Sequence, residues 1–306
     1  MPAVLPNRRK DPSESKLPDV AVITMARDEG RMLSRWVDFY GSAFGTDNLL
    51  VFDDNSVDGS TDNLGCSVFH LPQLPGIGRY ERTRNLLMSG IAEGLLQVYD
   101  FVIFVDVDEF LMADPAKHAS LREFLAARRD RDVIAPMTLN VMHHVGAEPP
   151  LDPDRPILDQ RSFAKFLPVM CKPSIKQIPA PWNPTSHAIS APFEVDPELF
   201  MLHLKFYDAG ELRATAALRN AMVKADGRAT KSSWSRTGDQ LVAQITEASA
   251  RVDPDSVKEF DPQLAELDGI VQQQREGIWQ PSGMGQVPAM SARPLVRIPE
   301  RLRGLL

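Results

Sequence analysis

The sequence predicts an α/β protein: a mainly parallel sheet with helices on both faces, followed by a helical C-terminal extension. Two observations lead to this class. Strand-length apolar runs alternate with segments whose apolar residues recur at helical spacing, the order typical of parallel βαβ units. Residues 101 to 105 are also continuously apolar, as expected of a central strand covered on both faces. With 306 residues and 43% hydrophobic content, the chain can bury a large core.

The first predicted elements are a strand, a helix and a second strand. Residues 20 to 25 form an apolar run rich in Val and Ile, which predicts the strand. The helix is predicted over residues 29 to 43. Its apolar positions recur every three or four residues: Leu33, Trp36, Val37 and Tyr40. The second strand is predicted over residues 48 to 52 and ends at an Asp-Asp-Asn-Ser turn.

A short strand, a longer helix and the central strand follow. The short strand is predicted over residues 66 to 70 and the helix over residues 80 to 98. One face of this helix is apolar: Leu87, Ile91 and Leu95. After the central strand, Ser120 and Glu123 have the spacing of a capping box and begin a short helix. The last strand of this series is predicted over residues 133 to 141.

Four regions are predicted along the chain. Residues 1 to 18, rich in Pro, Ser and charge, are expected to form a flexible leader. The main domain is predicted over residues 19 to 208, and a polar helical extension over residues 209 to 280. Residues 281 to 306 form a Gly- and Pro-rich tail with a basic end. Within the main domain, residues 146 to 183 are Pro-rich and are expected to form loops over a site instead of a central sheet.

Composition excludes several functional classes. The net charge of −7 argues against general nucleic-acid binding, which requires a basic face. No apolar stretch reaches the roughly 18 residues of a membrane-spanning helix, and no signal-peptide segment follows Arg8 and Arg9. Cys66 and Cys171 have neither the spacing of a CxxC motif nor the density of a disulfide framework. We therefore expect a cytoplasmic protein, either free or peripheral to the inner membrane.

Polar residues follow three of the predicted parallel strands. They are residues 27 to 29, residues 53 to 56, and the pair Asp106 and Asp108. Carboxyl ends of parallel strands meet at one edge of a sheet, so a single ligand could contact all three groups. Asp106 and Asp108 are candidate metal ligands. Alternate residues of an extended chain point the same way, so both carboxylates could contact one ion. Mg²⁺ or Mn²⁺ is usually held by one or two carboxylates plus substrate phosphates. The alternative is a solvated acidic turn.

Four ordered motifs resemble those of a known family. They are Thr24-Met-Ala-Arg-Asp-Glu29 followed by Leu33 and Trp36, Asp53-Asp-Asn-Ser-Val-Asp-Gly-Ser-Thr61, Arg82-Thr-Arg84-Asn85, and Asp106-Val-Asp-Glu-Phe110. In this order and spacing they resemble the family 2 glycosyltransferases, in particular a shorter bacterial branch related to family 92. The resemblance covers residues 21 to 113 well and is patchy to residue 208.

The resemblance implies a GT-A fold and a hexosyltransferase-like activity. A nucleotide-diphospho-sugar, with a UDP-sugar expected, would donate its sugar with inversion to a hydroxyl of a glycan or another acceptor. The nucleotide contacts that the resemblance implies are Arg27, Glu29, Asp53, Asp54, Arg84 and Asp106. Several of these residues also have a simpler interpretation. Asp53 and Asp54 fit a turn, Glu29 fits a first-turn residue favourable to the helix dipole, and Arg84 with Asn85 fits a solvated helix face.

The resemblance also implies a divalent cation, Mn²⁺ or Mg²⁺, bound by Asp106 and Asp108. A third ligand is expected from a later histidine, and His203 is the best candidate. Lys205 would lie on the same face of an extended segment and contact a phosphate. A histidine in an apolar run also fits a hydrogen-bonded core residue. The other histidines are alternatives, with acceptor contacts expected: His143, His144 and His187.

The catalytic base of an inverting transfer is not identified by the sequence. Asp152, Asp154 and Asp159 lie in the loop expected to cover the acceptor side, and Asp159, followed by Arg161, is preferred. The Glu-Asp and Gln-x-x-Arg-Trp signatures of processive synthases are missing, so a single transfer is expected.

Trp182 and Trp234 are candidates for stacking on a sugar or for buried packing. In the helical extension, the basic residues are expected to be solvated, with diphosphate or acceptor contact as the alternative: Arg213, Arg219 and Lys224.

Two other classes remain open. A non-catalytic relative could bind a sugar nucleotide or a glycan as a structural or regulatory module, because a fold does not fix a function. Intact Asp106 and Asp108 argue against this alternative. A haloacid-dehalogenase-like phosphatase also places Asp-x-Asp at the end of a strand, but Glu109 and Phe110 follow here where that class has Thr or Val. Binding of nucleotide diphosphates with Mn²⁺ but without any hydrolysis of sugar nucleotides would support the module. Release of phosphate from small phosphoesters, without metal-dependent binding of sugar nucleotides, would support the phosphatase.

Overall fold

A computed structural model describes residues 17–73, 80–227, 233–265, 267–283 and 293–306. The predicted flexible leader, apart from its last two residues, lies outside the described residues. Among the residues described, no helix is both long enough and apolar enough to cross a bilayer.

The first half of the chain forms a parallel four-stranded unit with the order β3-β2-β1-β4. The strands are β1 (Val20–Ala26), β2 (Leu49–Asp53), β3 (Ser67–His70) and β4 (Phe101–Phe104). Helix α1 (Gly30–Phe44) connects β1 to β2, and α2 (Tyr80–Leu95) precedes β4. These elements match the predicted ones closely, and the predicted fold class of a mainly parallel α/β sheet flanked by helices is confirmed.

The rest of the sheet is mixed. Its elements are β5 (Glu109–Ala113), α3 (Leu121–Ala126), β6 (Val133–Met142), β7 (Phe163–Phe166), β8 (Ile175–Lys176) and β9 (Glu194–Phe206). Strand β8 lies between β4 and β6 and is antiparallel to both, whereas β9 is parallel to β6 and antiparallel to β5. The expectation that residues 146 to 183 contain only loops is therefore wrong. A two-residue strand is too short to show a periodic pattern, so β8 has no signal in the sequence.

The C-terminal extension begins as predicted, with α4 (Ala209–Asp226) and α5 (Gly238–Ala250). The predicted continuation of helix to residue 280 is wrong. The described residues beyond 250 form short 3₁₀ turns and a hairpin of β10 (Val271–Arg275) and β11 (Ile278–Pro281). Pro254 and Pro262 each begin a 3₁₀ turn, and both lack the N–H that a helix interior needs. In the tail, β12 (Val296–Arg297) pairs with β7.

Two apolar clusters hold these elements together. The larger one joins the sheet to α1, and its bulkiest members include Trp36, Tyr40, Phe101, Phe110 and Trp182. The second joins the ends of β6, β7 and β9 to α4 and α5: Met142, Phe163, Phe206, Leu212, Leu241 and Ile245. The helical extension thus shares a core with the sheet. The predicted domain boundary between residues 208 and 209 stays a prediction.

Two glycines have opposite expected effects on stability. A Cβ added at Gly238, the first residue of α5, would lie 2.8 Å from the Cα atom of Arg213 on α4. We expect Gly238→Ala to push the two helices apart and to lower the free energy of unfolding by roughly 1–3 kcal/mol. Gly90 in α2 is exposed and has no heavy atom within 4 Å of the added Cβ, so Gly90→Ala should raise stability by roughly 0.5–1 kcal/mol. Urea unfolding monitored by circular dichroism measures both, and a stabilised Gly238→Ala would contradict the close approach.

Candidate functional site

The loops after β1 and β2 are linked to each other at one edge of the sheet. Asp28 has a left-handed backbone with a φ of 52°. Its Oδ1 accepts hydrogen bonds from the backbone N–H groups of Val57 at 2.7 Å and Asp58 at 3.2 Å. The N–H of Asp28 donates to Oγ of Ser56 at 3.1 Å. Because β1 pairs in parallel with both β2 and β4, the three predicted strand ends do meet at this edge.

The two aspartates at the end of β2 are buried and bonded within the chain. Asp53 accepts a hydrogen bond from the N–H of Ser56 at 2.9 Å, and its Oδ2 lies 2.8 Å from Nδ1 of His70. Burial opposes ionisation, but the hydrogen bonds from Ser56 and His70 hold the pKa of Asp53 below its usual value. Asp54 accepts a hydrogen bond from the Tyr80 hydroxyl at 2.9 Å. Both residues hold the loop in place, and their contact with a nucleotide stays a prediction.

Arg84 and Asn85 lie on the inner face of α2, where this helix packs on β4. Both are buried, so the alternative of a solvated helix face is wrong for this pair. The guanidinium of Arg84 forms an ion pair with Oδ1 of Asp106 and lies 5.2 Å from the ring centroid of Phe104. Arg27 lies in the same region, with Nη1 3.9 Å from Oδ2 of Asp54.

The Asp-x-Asp segment is a turn and not an extended chain. Strand β4 ends before it, and the N–H of Glu109 donates to the carbonyl oxygen of Asp106 at 3.1 Å. The argument that alternate residues share one face therefore does not apply, and the two carboxylates have different neighbours. Asp106 faces Arg84 and Lys172, whereas Asp108 faces two residues of later elements, described below.

Lys172 is a buried cation beneath this turn that the sequence did not reveal. Its Nζ lies 2.6 Å from Oε2 of Glu109 and 3.3 Å from Oδ2 of Asp106. Burial opposes charge on Asp106, but Arg84 and Lys172 together hold its pKa well below the usual range. Burial raises the pKa of Glu109, although Lys172 acts against this shift. Asp106 is therefore an ionised carboxylate whose two oxygens are both paired with cations of the chain.

Asp108 and His203 approach each other on the other side of the turn. His203 Nε2 lies 3.5 Å from Oδ2 of Asp108, and Nη2 of Arg219 lies 3.8 Å from the same oxygen. The other ring nitrogen of His203, Nδ1, lies 2.7 Å from Oδ1 of Asn140 on β6. Because Nδ1 donates to this oxygen, Asn140 fixes the orientation of the ring with Nε2 toward Asp108. Burial opposes charge on Asp108, but His203 and Arg219 lower its pKa far below the usual value.

These residues fit a divalent cation only in part. In the described ranges, no three His, Cys, Asp or Glu side chains lie close enough to form a metal cluster. The predicted set of Asp106, Asp108 and His203 is not assembled, because both oxygens of Asp106 are paired with Arg84 and Lys172. Asp108 and His203 do offer an oxygen and a nitrogen ligand side by side. Mg²⁺ and Mn²⁺ are commonly held by one or two such groups together with substrate phosphates and water.

A cavity of about 200 Å³ adjoins Asp108. It lies between the first turn of α1, the end of β9, and the helices α4 and α5. Its charged lining includes Glu29, Lys205 and Arg219. Much of the remaining wall is apolar: Met32, Leu151, Leu204, Leu212, Trp234 and Leu241. Arg219, expected from the sequence to be solvated, is largely buried here because α4 lies over the site.

Two groups in this cavity have pKa values near neutral pH. Burial raises the pKa of Glu29 to about 7, with Arg219 acting against this shift and Asp108 adding to it. Burial, together with Arg219, lowers the pKa of Lys205 to about 8. Carboxyl and ammonium groups perturbed in this way cluster at functional sites.

The preferred candidate base lies elsewhere. Asp159 lies on a short 3₁₀ helix. Asp152, Asp154 and Asp159 are all exposed, and none of the three lines the cavity. The neighbouring Arg161 is fully buried and forms an ion pair with Asp208 at 2.8 Å. No sequence pattern distinguishes Arg161 from the exposed arginine of the same loop, Arg155.

The remaining candidates have mainly structural neighbours. His143 and His144 are buried, and Nδ1 of His143 accepts a hydrogen bond from the N–H of Ala209 at the start of α4. Nδ1 of His187 lies 2.9 Å from the carbonyl oxygen of Val169, and burial together with Lys172 lowers its pKa to about 4. Trp182 is fully buried, as the packing alternative predicted, whereas Trp234 lines the cavity.

Comparisons with known proteins identify no family. No family model matches the chain, and no curated protein matches it. Among solved structures, the chain is similar to mannosyltransferase PcManGT from Pyrobaculum calidifontis in complex with GDP-Man and Mn²⁺. The two chains are 18% identical, with a TM-score of 0.29, and the match covers 44% of this chain and 38% of that chain. A second similar structure is mannose-1-phosphate geranyltransferase from Thermus thermophilus, with 11% identity and a TM-score of 0.25 over 77% of this chain and 65% of that chain. The matches span less than two thirds of either structure. The resemblance to family 2 glycosyltransferases stays a prediction.

Proposed function

We propose that this protein is a glycosyltransferase that moves a sugar, with inversion, from a nucleotide-diphospho-sugar to an acceptor hydroxyl. The observation that supports this most is the convergence of three strand ends, with an ionised Asp108 beside His203 and Arg219 at the opening of a cavity. Ligands of open α/β sheets bind outside the carboxyl ends of the parallel strands. Four motifs of the resemblance lie at this edge.

The nucleoside would lie against the linked loops after β1 and β2, near Arg27, Asp53 and Asp54. Arg84 and Asp106 would then face the ribose. Asp106 acts here as an anchor that keeps Arg84 in place, since both its oxygens are already paired. This role differs from the metal ligand that the resemblance implied.

The leaving diphosphate would lie between Asp108 and the cations of the cavity. Negative charge grows on its oxygen as the bond to the anomeric carbon breaks, and Lys205 and Arg219, which line the cavity, would stabilise that charge. Asp108 and His203 are the residues that would hold Mn²⁺ or Mg²⁺. When bound, such a cation neutralises the same growing charge as a Lewis acid.

A nucleotide panel tests this function. UDP, GDP and dTDP, each with and without Mn²⁺, are added to the protein and the melting temperature is measured. A nucleoside diphosphate at about 100 times its Kd stabilises the folded state by about 2.7 kcal/mol, which corresponds to a rise of roughly 5 °C. We expect one nucleotide class to give this shift, with a UDP-compound favoured, and we expect Mn²⁺ to increase it.

Asp108→Ala should remove the Mn²⁺-dependent part of the shift, because it deletes the carboxylate that faces His203. Asp47→Ala is the matched control, since Asp47 is exposed near the amino end of β2, at the opposite edge of the sheet. An unchanged shift in Asp108→Ala, or no shift with any nucleotide, would contradict the proposal. Phosphate release from small phosphoesters without nucleotide binding would instead support the phosphatase alternative.

A further inference from the structure

Glu29 occupies the N-cap position of α1 but makes no capping hydrogen bond. Side chains at this position normally accept hydrogen bonds from the first amides of the helix. Here the N–H of Gly30 donates to Oδ2 of Asp58 at 3.2 Å, so a residue of the neighbouring loop serves this amide. Glu29 is one of the residues that line the cavity. Its direction is therefore not explained by the stability of α1.

Charged groups from several elements face this carboxyl. They are Arg219 on α4, Asp108 and Asp106 on the turn after β4, and Arg84 on α2. Lys205 at the end of β9 lines the same cavity. The cations favour ionised Glu29, whereas burial and the two aspartates oppose it. With its pKa raised to about 7, Glu29 can both accept and retain a proton near neutral pH, which is the property that a general base needs.

The cavity has the size and surface of a site for one sugar ring. Its volume is about 200 Å³. Trp234 lines the cavity, and the guanidinium of Arg219 lies 5.5 Å from the centroid of the Trp234 ring. A sugar ring has an apolar C–H face and a rim of hydroxyl groups. An aromatic wall next to a carboxylate and a guanidinium complements both parts.

We propose that this cavity binds the acceptor as a single sugar ring, and that Glu29 takes the proton from the attacking hydroxyl. This inference rests on the proposed function. The acceptor oxygen forms a bond to the anomeric carbon of the donor, and the bond from that carbon to the diphosphate oxygen breaks. The electron pair leaves with the nucleoside diphosphate, and the proton is transferred to the carboxylate of Glu29.

The three carboxylates at the turn between β4 and β5 are less suited to this role. Both oxygens of Asp106 are paired with cations, and Asp108 faces His203 and Arg219. Glu109 lies buried against Lys172 and does not line the cavity. Glu29, which the resemblance placed at the nucleotide, is thus assigned to the acceptor.

The test uses Glu29→Gln, which preserves the shape of the side chain, and Trp234→Ala. Glu276→Gln is the matched control, because Glu276 is an exposed carboxylate in the turn of the β10–β11 hairpin. Calorimetry measures the Kd of UDP and GDP. Saturation-transfer NMR on the nucleotide-bound protein detects methyl glucoside, galactoside and mannoside as sugar probes. Release of nucleoside diphosphate from the matching UDP- or GDP-hexose, with these probes present, measures turnover.

We expect Glu29→Gln to keep the nucleotide Kd within about threefold and to keep probe binding, while turnover falls at least about 100-fold. The wild-type rate should rise with pH as Glu29 loses its proton, and this rise should disappear in the variant. Trp234→Ala should lose the probe signals and keep nucleotide binding. Glu276→Gln should match the wild type in all three measurements.

The outcomes separate the two proposals. If neither nucleotide binds the wild type, the proposed function itself fails. If a nucleotide binds but no probe gives a signal, or Trp234→Ala gives the same signals, the acceptor site is wrong while the nucleotide site stands. If the wild type binds both ligands without turnover, the proposed transferase function fails and the non-catalytic alternative is supported. If the wild type turns over and turnover of Glu29→Gln stays within tenfold of it, Glu29 is not the base.

Discussion

Lys172→Met is expected to lower the free energy of unfolding by roughly 3–5 kcal/mol at pH 8. Lys172 is 2% exposed and lies between the carboxylates of Glu109 and Asp106. Methionine fills a similar volume but leaves Glu109 without a cation in a buried position. Breaking a buried ion pair by removing one partner is strongly destabilising, because the other charge remains uncompensated. Urea unfolding at several pH values measures the effect.

The loss should shrink as the pH falls from 8 to 5. In the folded protein, burial already raises the pKa of Glu109 above its usual value of 4.5. Stability linked to this group is therefore fully present below pH 4.5 and is lost as the pH rises through the folded pKa. Without Lys172 this loss becomes larger, so the variant is most destabilised at high pH and least where Glu109 is protonated. A loss that is independent of pH would show that packing, not charge, is responsible.

Lys176→Met is the control for this experiment. Lys176 is also a fully buried lysine, but its Nζ donates to the carbonyl oxygen of Ala180 at 2.8 Å and lies 3.8 Å from the ring centroid of Trp182. Burial lowers its pKa to about 7, with Glu93 acting against this shift. Because this pKa lies below the usual value of 10.5, Lys176 lowers stability as the pH falls from about 10.5 to about 7, and the full cost remains at lower pH. Methionine should therefore leave stability unchanged or raise it. A similar loss in both variants would contradict the ion-pair explanation.

Asp208→Ala should lower the free energy of unfolding by roughly 4–6 kcal/mol, because Asp208 has two functions. Its Oδ1 caps α4 by accepting hydrogen bonds from the N–H groups of Gly210 at 2.7 Å and Glu211 at 3.1 Å. Its Oδ2 accepts a hydrogen bond from Nη2 of Arg161 at 2.8 Å, and Arg161 is 0% exposed. Alanine removes the cap and leaves a buried guanidinium without its carboxylate. Thermal and urea unfolding measure the loss.

Ser120→Ala separates the two contributions. Ser120 caps α3 through its hydrogen bond with the N–H of Glu123 at 3.1 Å but is not paired with a buried charge, so its loss should be only about 1 kcal/mol. The pKa of Asp208 is lowered by hydrogen bonds from Glu211, Gly210 and Arg161, against the effect of burial. Its contribution is thus present above the unfolded pKa near 3.8 and is lost as the pH falls through the folded pKa. The double variant Arg161→Met, Asp208→Ala should be more stable than Asp208→Ala alone; if it is not, the buried charge is not the cause.

The sequence predicted the parallel half of the fold well because those strands are buried. Strand β4 and its neighbour β1 consist almost wholly of buried apolar residues, so composition alone distinguishes them from loops. Helix α1 was equally clear, since its buried residues recur at helical spacing. Strand β8 has no such signal, and the polar composition of β10 wrongly predicts helix. Neither has a buried face long enough to impose a pattern.

The sequence predicted where the candidate site lies, but not which charged side chains pair with each other there. Asp106 and Asp108 lie at the expected edge, yet the turn between β4 and β5 gives them separate neighbours. Lys172 is 66 positions from Asp106 along the chain, and only the insertion of β8 into the sheet brings them together. Arg219 was expected to be solvated, because a charged residue on a polar helix reveals nothing about what that helix covers. Such contacts depend on tertiary packing, which local patterns do not encode.

The hydrogen bonds around Asp28 affect how a ligand can bind at the carboxyl ends of β1 and β2. Asp28 and Asn55 both hold left-handed backbone conformations, with φ values of 52° and 62°, that are unfavourable for residues other than glycine. The unfavourable conformations are imposed during folding, before a ligand arrives. The rim is thus preorganised, and little binding free energy is spent on ordering it. Selectivity between nucleotides then depends on the fit of the base to a fixed surface, not on how far the protein can adapt to it.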